Sequence, residues 1–175
     1  MTKISIVISA GQLGADLGAL EAARECGIET GGCAKVGTKT PEFLETYDMI
    51  DAPKYDECDR LNARLIGYAN GLIVAFLLTR PMTGGGSQKT ISYAQCGEYV
   101  LFDNCCTDSL LSGPHQVCLF YDPAPSTVEK MGASLRSMID AMPASSTRML
   151  VTGTCESTCP GTQDAVKAIM RIALA

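Results

Sequence analysis

The chain has a single histidine, no cluster of basic residues and no apolar run approaching the length of a membrane span. Each absence removes a class of function. One histidine, His115, together with the lack of Gly-x-Ser-x-Gly, argues against a Ser-His-Asp hydrolase. With 14 Lys and Arg against 19 Asp and Glu the net charge is −5, so neither nucleic acid nor an anionic membrane is an expected partner. The longest apolar run, Leu72–Leu78, has a strand's length and falls far short of the ~20 residues of a spanning helix. Strand-like sequence begins directly after Lys3, which leaves no room for a signal peptide, and a cytoplasmic protein is the expectation. There is no Gly-x-x-x-x-Gly-Lys-Ser/Thr phosphate loop, and no Gly-x-Gly-x-x-Gly follows the first strand, so an NAD-type dehydrogenase is not supported. Internal repeats and low-complexity segments are also missing.

Cysteine is the exception to this sparseness. Nine cysteines, at 26, 33, 58, 96, 105, 106, 118, 155 and 159, are an odd number scattered through helices and strands, which does not read as a disulfide framework. Their spacings do not suit zinc either, so no metal site is expected and reduced thiols are. Cys58 and Cys118 sit in apolar patterns, where a thiol acts as a small hydrophobe.

What is present is an alternation of strand and helix patterns along 175 residues, most economically one domain over 1–175. Lys3–Ser9 reads as a buried strand that stops at Ala10-Gly11-Gln12-Leu13-Gly14-Ala15-Asp16 and opens into a helix ending near Cys26-Gly27. Ile28–Val36, broken by Gly31-Gly32, is a short second strand, and Gly37–Pro53 reads as a surface loop at the sheet edge. Tyr55–Tyr68 turns helical, with Cys58, Leu61 and Leu65 on one face. Gly71–Leu78 is a further strand. It leads into Thr79–Ser87, a second Gly-rich loop, and Thr90, Ile91 and Ala94 continue this as a helix.

Tyr99–Phe102 is ambiguous, and Asp103–Pro114 is a polar excursion with His115 as a surface residue at its end. Gln116–Tyr121 is another strand. Ser126 with Glu129 forms a capping box for a helix carrying Val128, Met131, Leu135, Met138 and Met142. Arg148–Thr152 is the last strand, followed by Gly153–Gly161 and a helix over Thr162–Leu174. This pattern predicts an α/β fold, a Rossmann-like three-layer α/β/α sandwich with a mainly parallel sheet.

In such a fold the loops after strands gather at the carboxyl edge, where ligands bind. Three of those loops are rich in Gly, Ser and Thr. They offer backbone N–H groups, the hydroxyls of Ser9, Thr83, Ser87, Thr90, Ser157 and Thr158, the Gln12 amide, and the Asp16 and Glu156 carboxylates. Neutral donors at helix starts suit phosphate. Lys35, Lys39 and Arg80 are the cations that can reach the edge. Ser87 serves equally well as a helix cap.

These residues resemble the putative molybdenum-cofactor carrier family, the YpsA-related branch of the SLOG superfamily of Rossmann-like (lysine-decarboxylase-like) nucleotide-binding proteins. The family's Ser-Gly-Gly-Gln-Thr-Gly-x-Asp is similar to Ser9–Asp16, and its Gly-Gly pair and lysine to Gly31-Gly32 and Lys35. Its Ser-Gly-Gly-Thr-x-x-Thr is similar to Thr83–Thr90, and its Gly-Pro-Arg-Glu-Ser-x-x-Pro-Gly to Gly153–Gly161. The resemblance implies a ligand site built from Ser9, Gly11, Gln12, Gly14, Asp16, Gly32, Lys35, Thr83, Gly84, Gly85, Gly86, Ser87, Thr90, Gly153, Glu156, Ser157 and Gly161. It implies a phosphorylated, nucleotide-like ligand, either a molybdenum cofactor or a nucleotide, held by a cytosolic binding protein. A homo-oligomer is expected.

The sequence departs from the pattern at Leu13, where Thr is usual, and at Leu17 and Cys155, where Arg is common. Two phosphate-binding guanidinium groups are thereby lost. Either the ligand is less anionic, or Lys35, Lys39 or Arg80 compensates, or the ancestral ligand is lost. One alternative is a phosphoribohydrolase or N-glycosidase-type enzyme with Glu156 or Asp16 as acid/base, although the loop comparable to the Pro-Gly-Gly-x-Gly-Thr-x-x-Glu of such enzymes carries no Glu here. The other is a ligand-free interaction module whose glycines only make turns.

Overall fold

The structure is a computed structural model that describes residues 2–67, 71–77, 86–96 and 114–175. Six strands form one all-parallel sheet: β1 (Ile6–Ile8), β2 (Glu29–Lys35), β3 (Met49–Ala52), β4 (Leu72–Leu77), β5 (Gln116–Tyr121) and β6 (Arg148–Gly153). The helices between them are α1 (Ala15–Glu25), α2 (Pro41–Thr46), α3 (Tyr55–Leu65), α4 (Gly86–Cys96), α5 (Val128–Ala141) and α6 (Thr162–Leu174). The chain has the expected three-layer, Rossmann-like α/β architecture.

The strand order is β3-β2-β1-β6-β4-β5. The chain builds outward from β1 to β3, crosses to β4 and β5, and returns to insert β6 between β1 and β4. The direction of winding therefore reverses beside β1, and the crevice at the carboxyl ends there is where open α/β sheets place ligands.

Alternation along the strands divides the core in two. Val7, Val74, Phe76, Met149 and Val151 face one way, onto Leu20 of α1, Leu135 and Ile139 of α5, and Val166 and Ile169 of α6. Ile8, Ile73, Ala75, Leu77 and Leu150 face the other way, onto Ile66 and Ile91. β4 is buried on both faces, which is why its sequence is an unbroken apolar run rather than an alternating one. A small satellite cluster of Cys33, Ala52 and Cys58 sits beneath the β2–β3 edge.

Three expectations need correction. Gly37–Pro53 is not only loop, since it contains α2 and the edge strand β3. The Thr40 hydroxyl accepts the Phe43 N–H at 3.2 Å with Pro41 at the first helical position, a start signal in an element too short to show periodicity. Ser126 is not a cap. A 3₁₀ turn at Pro125–Thr127 precedes α5, and the Thr127 hydroxyl accepts the Ala124 N–H at 3.0 Å.

His115 is not a surface residue but only 3 % exposed. Its Nδ1 accepts the Gly71 N–H at 3.1 Å, and its backbone pairs with the Gln95 amide at 2.9 and 3.0 Å. Burial pushes its pKa down, so it serves as a neutral acceptor locking the entry to β4. The expectations for Tyr99–Phe102 and for residues 103–113 lie outside the described residues.

Candidate functional site

The opening loop, Ala10–Gly14, and the closing loop, Thr154–Glu156, are stapled together. Gly14 and Cys155 form an antiparallel bridge, the Ala15 N–H donates to Thr154 O at 3.1 Å, and the Glu156 N–H donates to Leu13 O at 2.9 Å. Gly14 has φ +114°, and a Cβ there would stand 2.5 Å from Thr154 O, so the staple requires glycine. Gly32 allows a second close approach, because a Cβ on it would reach within 1.9 Å of Ser9 O.

A cleft of about 220 Å³ opens beside this staple. Ala10, Gln12 and Leu13 line it from the opening loop, Cys33, Ala34 and Lys35 from β2, and Thr38 and Lys39 from the following turn. Tyr55, Cys58 and Asp59 of α3 form the opposite wall, and Cys155 closes it. The Lys35 ammonium lies 4.8 Å from the Tyr55 ring centroid and that of Lys39 4.5 Å from the Phe43 ring, so both cations are braced on aromatic faces.

Asp16 is the electrostatic anomaly of the site. It is 6 % exposed on the first turn of α1, and its Oδ1 has no hydrogen-bond partner among the described residues. Burial pushes its pKa up to about 7, against the pull of the Gln12 backbone N–H; the nearby Asp59 carboxyl adds to the rise and the Lys39 ammonium opposes it. The Ser9 hydroxyl also lowers that pKa, while bonding Val151 O at 2.8 Å.

Asp59 is raised to about 6, chiefly by burial, although the Thr90 hydroxyl donates to its Oδ1 at 3.1 Å. Burial lowers the Lys39 pKa, with Asp16 working the other way. With both carboxyl pKa values raised by burial and two lysines alongside, the edge opposes an anion less than two ordinary carboxylates would.

The structure does not gather all the residues singled out from sequence at one place. Gln12, Lys35 and Lys39 reach the cleft, and Asp16 is their electrostatic neighbour. Ser9 is fully buried as a backbone tie. Thr90 supports Asp59. The Ser87 hydroxyl accepts from Thr152 at 3.0 Å and donates to Gly153 O at 3.4 Å, away from the cleft lining. Glu156 caps α6: its Oε1 accepts the Gly161 N–H, its Oε2 accepts the Gln163 N–H at 2.9 Å, and these bonds hold its pKa down.

Gly11, with φ +66°, turns the opening loop, and Gly161, with φ +89°, starts α6. Gly86 opens α4 near Asp59, and Gly153 packs on Phe76. Thr83, Gly84, Gly85 and Arg80 lie outside the described residues.

Asp59 and Tyr55 were missed by sequence reading. Tyr55, Asp59 and Asn62 follow helical spacing beside the apolar stripe of α3; the first two line the cleft, and the buried Asn62 ties α3 to β2, accepting the Cys33 N–H at 2.7 Å and donating to its carbonyl at 3.1 Å. Among the described residues no group of three or more His, Cys, Asp or Glu side chains could hold a metal ion, and no helix is long and apolar enough to cross a membrane.

No family model and no curated protein matches this chain. Among solved structures it is similar to a crystal structure described as a putative molybdenum carrier protein from Syntrophus aciditrophicus. The two share 20% sequence identity with a TM-score of 0.67 over 99% of this chain and 97% of the other, a likeness of fold along the full length.

Proposed function

We propose that this chain is a carrier-type binding protein for a small phosphorylated, nucleotide-like molecule, with a molybdenum cofactor as one candidate cargo. One observation carries the reading: Lys35, Lys39 and Gln12 converge on a cleft at the switch point of the sheet, beside carboxyls whose pKa values burial raises. The described fold neighbour named as a molybdenum carrier supports the same class.

The chemistry differs from the helix-dipole site expected from sequence. The α1 N–H groups of Ala15 and Leu17 already serve Thr154 O and Gln12 O, so the cations are lysine side chains rather than free backbone donors. At about 220 Å³ the cleft is below the roughly 300–1,000 Å³ of pockets that enclose drug-sized ligands. It suits the phosphate-bearing end of a ligand whose remainder lies over exposed Leu13.

Calorimetry against nucleoside monophosphates, inorganic phosphate and molybdopterin tests the proposal. Binding that is lost in Lys35→Gln/Lys39→Gln supports it, and a folded protein silent to the whole panel rejects it. A second reading, an N-glycosidase-type hydrolase, is favoured only by Asp16, whose pKa near 7 suits a general acid or base. Release of free base from nucleoside monophosphates, abolished in Asp16→Asn, would establish it. Glu156 is unsuited to that task while both its oxygens cap α6.

A further inference from the structure

The cleft is rich in thiols as well as in lysines. Cys33, Cys58 and Cys155 all line it. Their environments differ sharply. Cys33 and Cys58 are buried against each other, and burial pushes Cys33 up to about 12 and raises Cys58 as well. Cys26 and Cys118 are raised too, by burial first.

Cys155 is only part-buried, its Sγ lies 3.1 Å from the Ser157 hydroxyl and 2.9 Å from the Thr158 hydroxyl, and these contacts hold its pKa below the ordinary thiol value. The Gly14 bridge and the flanking bonds of Thr154 and Glu156 to Ala15 and Leu13 pin its backbone, and it lines the same cleft as Lys35 and Lys39. The buried Asp16 carboxyl, with one oxygen unpartnered among the described residues, has two residues of the cleft lining, Lys39 and Asp59, as charged neighbours.

We infer that Cys155 is a thiol–disulfide exchange site that captures small anionic disulfides drawn into the cleft by Lys35 and Lys39. The Cys155 thiol gives up its proton, and the thiolate attacks one sulfur of the disulfide. A new S–S bond forms to Cys155 as the old one breaks, and the departing thiolate takes up a proton. The Ser157 and Thr158 hydroxyls stabilise the attacking thiolate. Cys33 and Cys58 stay protonated and do not compete. The adduct fills the cleft, and it therefore excludes the phosphorylated ligand. That consequence rests on the proposed function; the capture chemistry does not.

The test is exposure of the full chain, near neutral pH and without other ligand, to glutathione disulfide (anionic), cystamine (cationic) and hydroxyethyl disulfide (neutral), with peptide mapping by mass spectrometry. The expected result is a first adduct on Cys155, formed about tenfold faster from the anionic than from the cationic disulfide. Added salt should shrink that preference. Lys35→Gln/Lys39→Gln should erase it while hydroxyethyl disulfide still modifies Cys155, and Cys155→Ser should remove the fast adduct.

First reaction at exposed Cys96 or at Cys159, or equal rates for the two charges, overturns the inference. The salt series in the unmodified chain decides the matter even if the double variant fails to fold. Phosphate binding with an inert Cys155 would reject this inference alone, whereas selective capture with no phosphate binding would reject only the proposed ligand.

Discussion

Two loops at the same sheet edge each carry a carboxylate beside a helix start, and they use it in opposite ways. In the closing loop Glu156 bonds the first N–H groups of α6, stays exposed enough to remain solvated and has a lowered pKa. In the opening loop the corresponding N–H groups of α1 are consumed by backbone carbonyls: Ala15 by Thr154 and Leu17 by Gln12. Asp16 is left buried, with one oxygen unpartnered among the described residues and a pKa raised to about 7. The staple between the loops contributes to this difference. It takes the Ala15 N–H, the Gln12 carbonyl takes that of Leu17, and Asp16 keeps the Gln12 N–H as its backbone donor.

The most severe way to break the comparison is to remove the staple. Gly14→Ala places a methyl 2.5 Å from Thr154 O at a positive φ and should cost about 3–4 kcal/mol in a denaturant titration. It should also free the Ala15 N–H and lower the Asp16 pKa, readable by carboxyl carbon NMR if the variant folds.

Neutralising the two carboxylates should shift stability in opposite directions. Asp16 has its pKa raised on folding, so between about pH 4 and 7 the native state binds more protons than the unfolded chain and stability falls as pH rises. Asp16→Asn should therefore stabilise the ligand-free protein above pH 7, on the order of 2–4 kcal/mol, and flatten that slope. Glu156 has its pKa lowered on folding. Its contribution is present above the unfolded value and is lost as pH falls through the folded one. Glu156→Gln should accordingly lower the melting temperature at neutral pH, with the difference closing in acid. If both variants shift stability the same way, the contrast between the loops is wrong.

A smaller effect belongs to the cleft. An anion bound near Asp16 and Asp59 disfavours their ionisation, so phosphate affinity should rise by about tenfold or less per pH unit as pH falls through about 7 and then about 6. Calorimetry across that range would show proton uptake on binding, and Asp16→Asn should remove the upper part. A ligand that donates hydrogen bonds to Asp16 instead would bind more weakly in acid, which makes the sign itself diagnostic. The smallest expected change is at Cys155. Ser157→Ala removes one stabilising hydroxyl and should move the pH midpoint of iodoacetamide alkylation upward with no change in melting temperature.

Much of the frame was legible because it is local. The apolar runs at Ile4–Ile8, Leu72–Leu77 and Arg148–Thr152, the shift to helical spacing after each loop, and the glycine stop near Gly27 all follow from contacts a residue makes with its sequence neighbours or with one face of a sheet. β3 and α2 were less visible because they are brief and half exposed; only Met49 and Ala52 of β3 are buried. His115 was misread because its burial comes from Gly71 and Gln95, residues distant in sequence.

By itself, then, the sequence determined an alternating parallel α/β fold and the gathering of its strand-end loops on one edge, since right-handed crossovers permit little else. Only the tertiary structure decided which side chains that edge presents. It ties Glu156 to α6, buries Asp16, brings Asp59 and Tyr55 in from α3, and seats Cys155 in the same cleft as Lys35 and Lys39. The physical reason is that burial and hydrogen-bond supply are properties of the assembled chain: whether a carboxylate is satisfied depends on which distant carbonyl has already taken its donor.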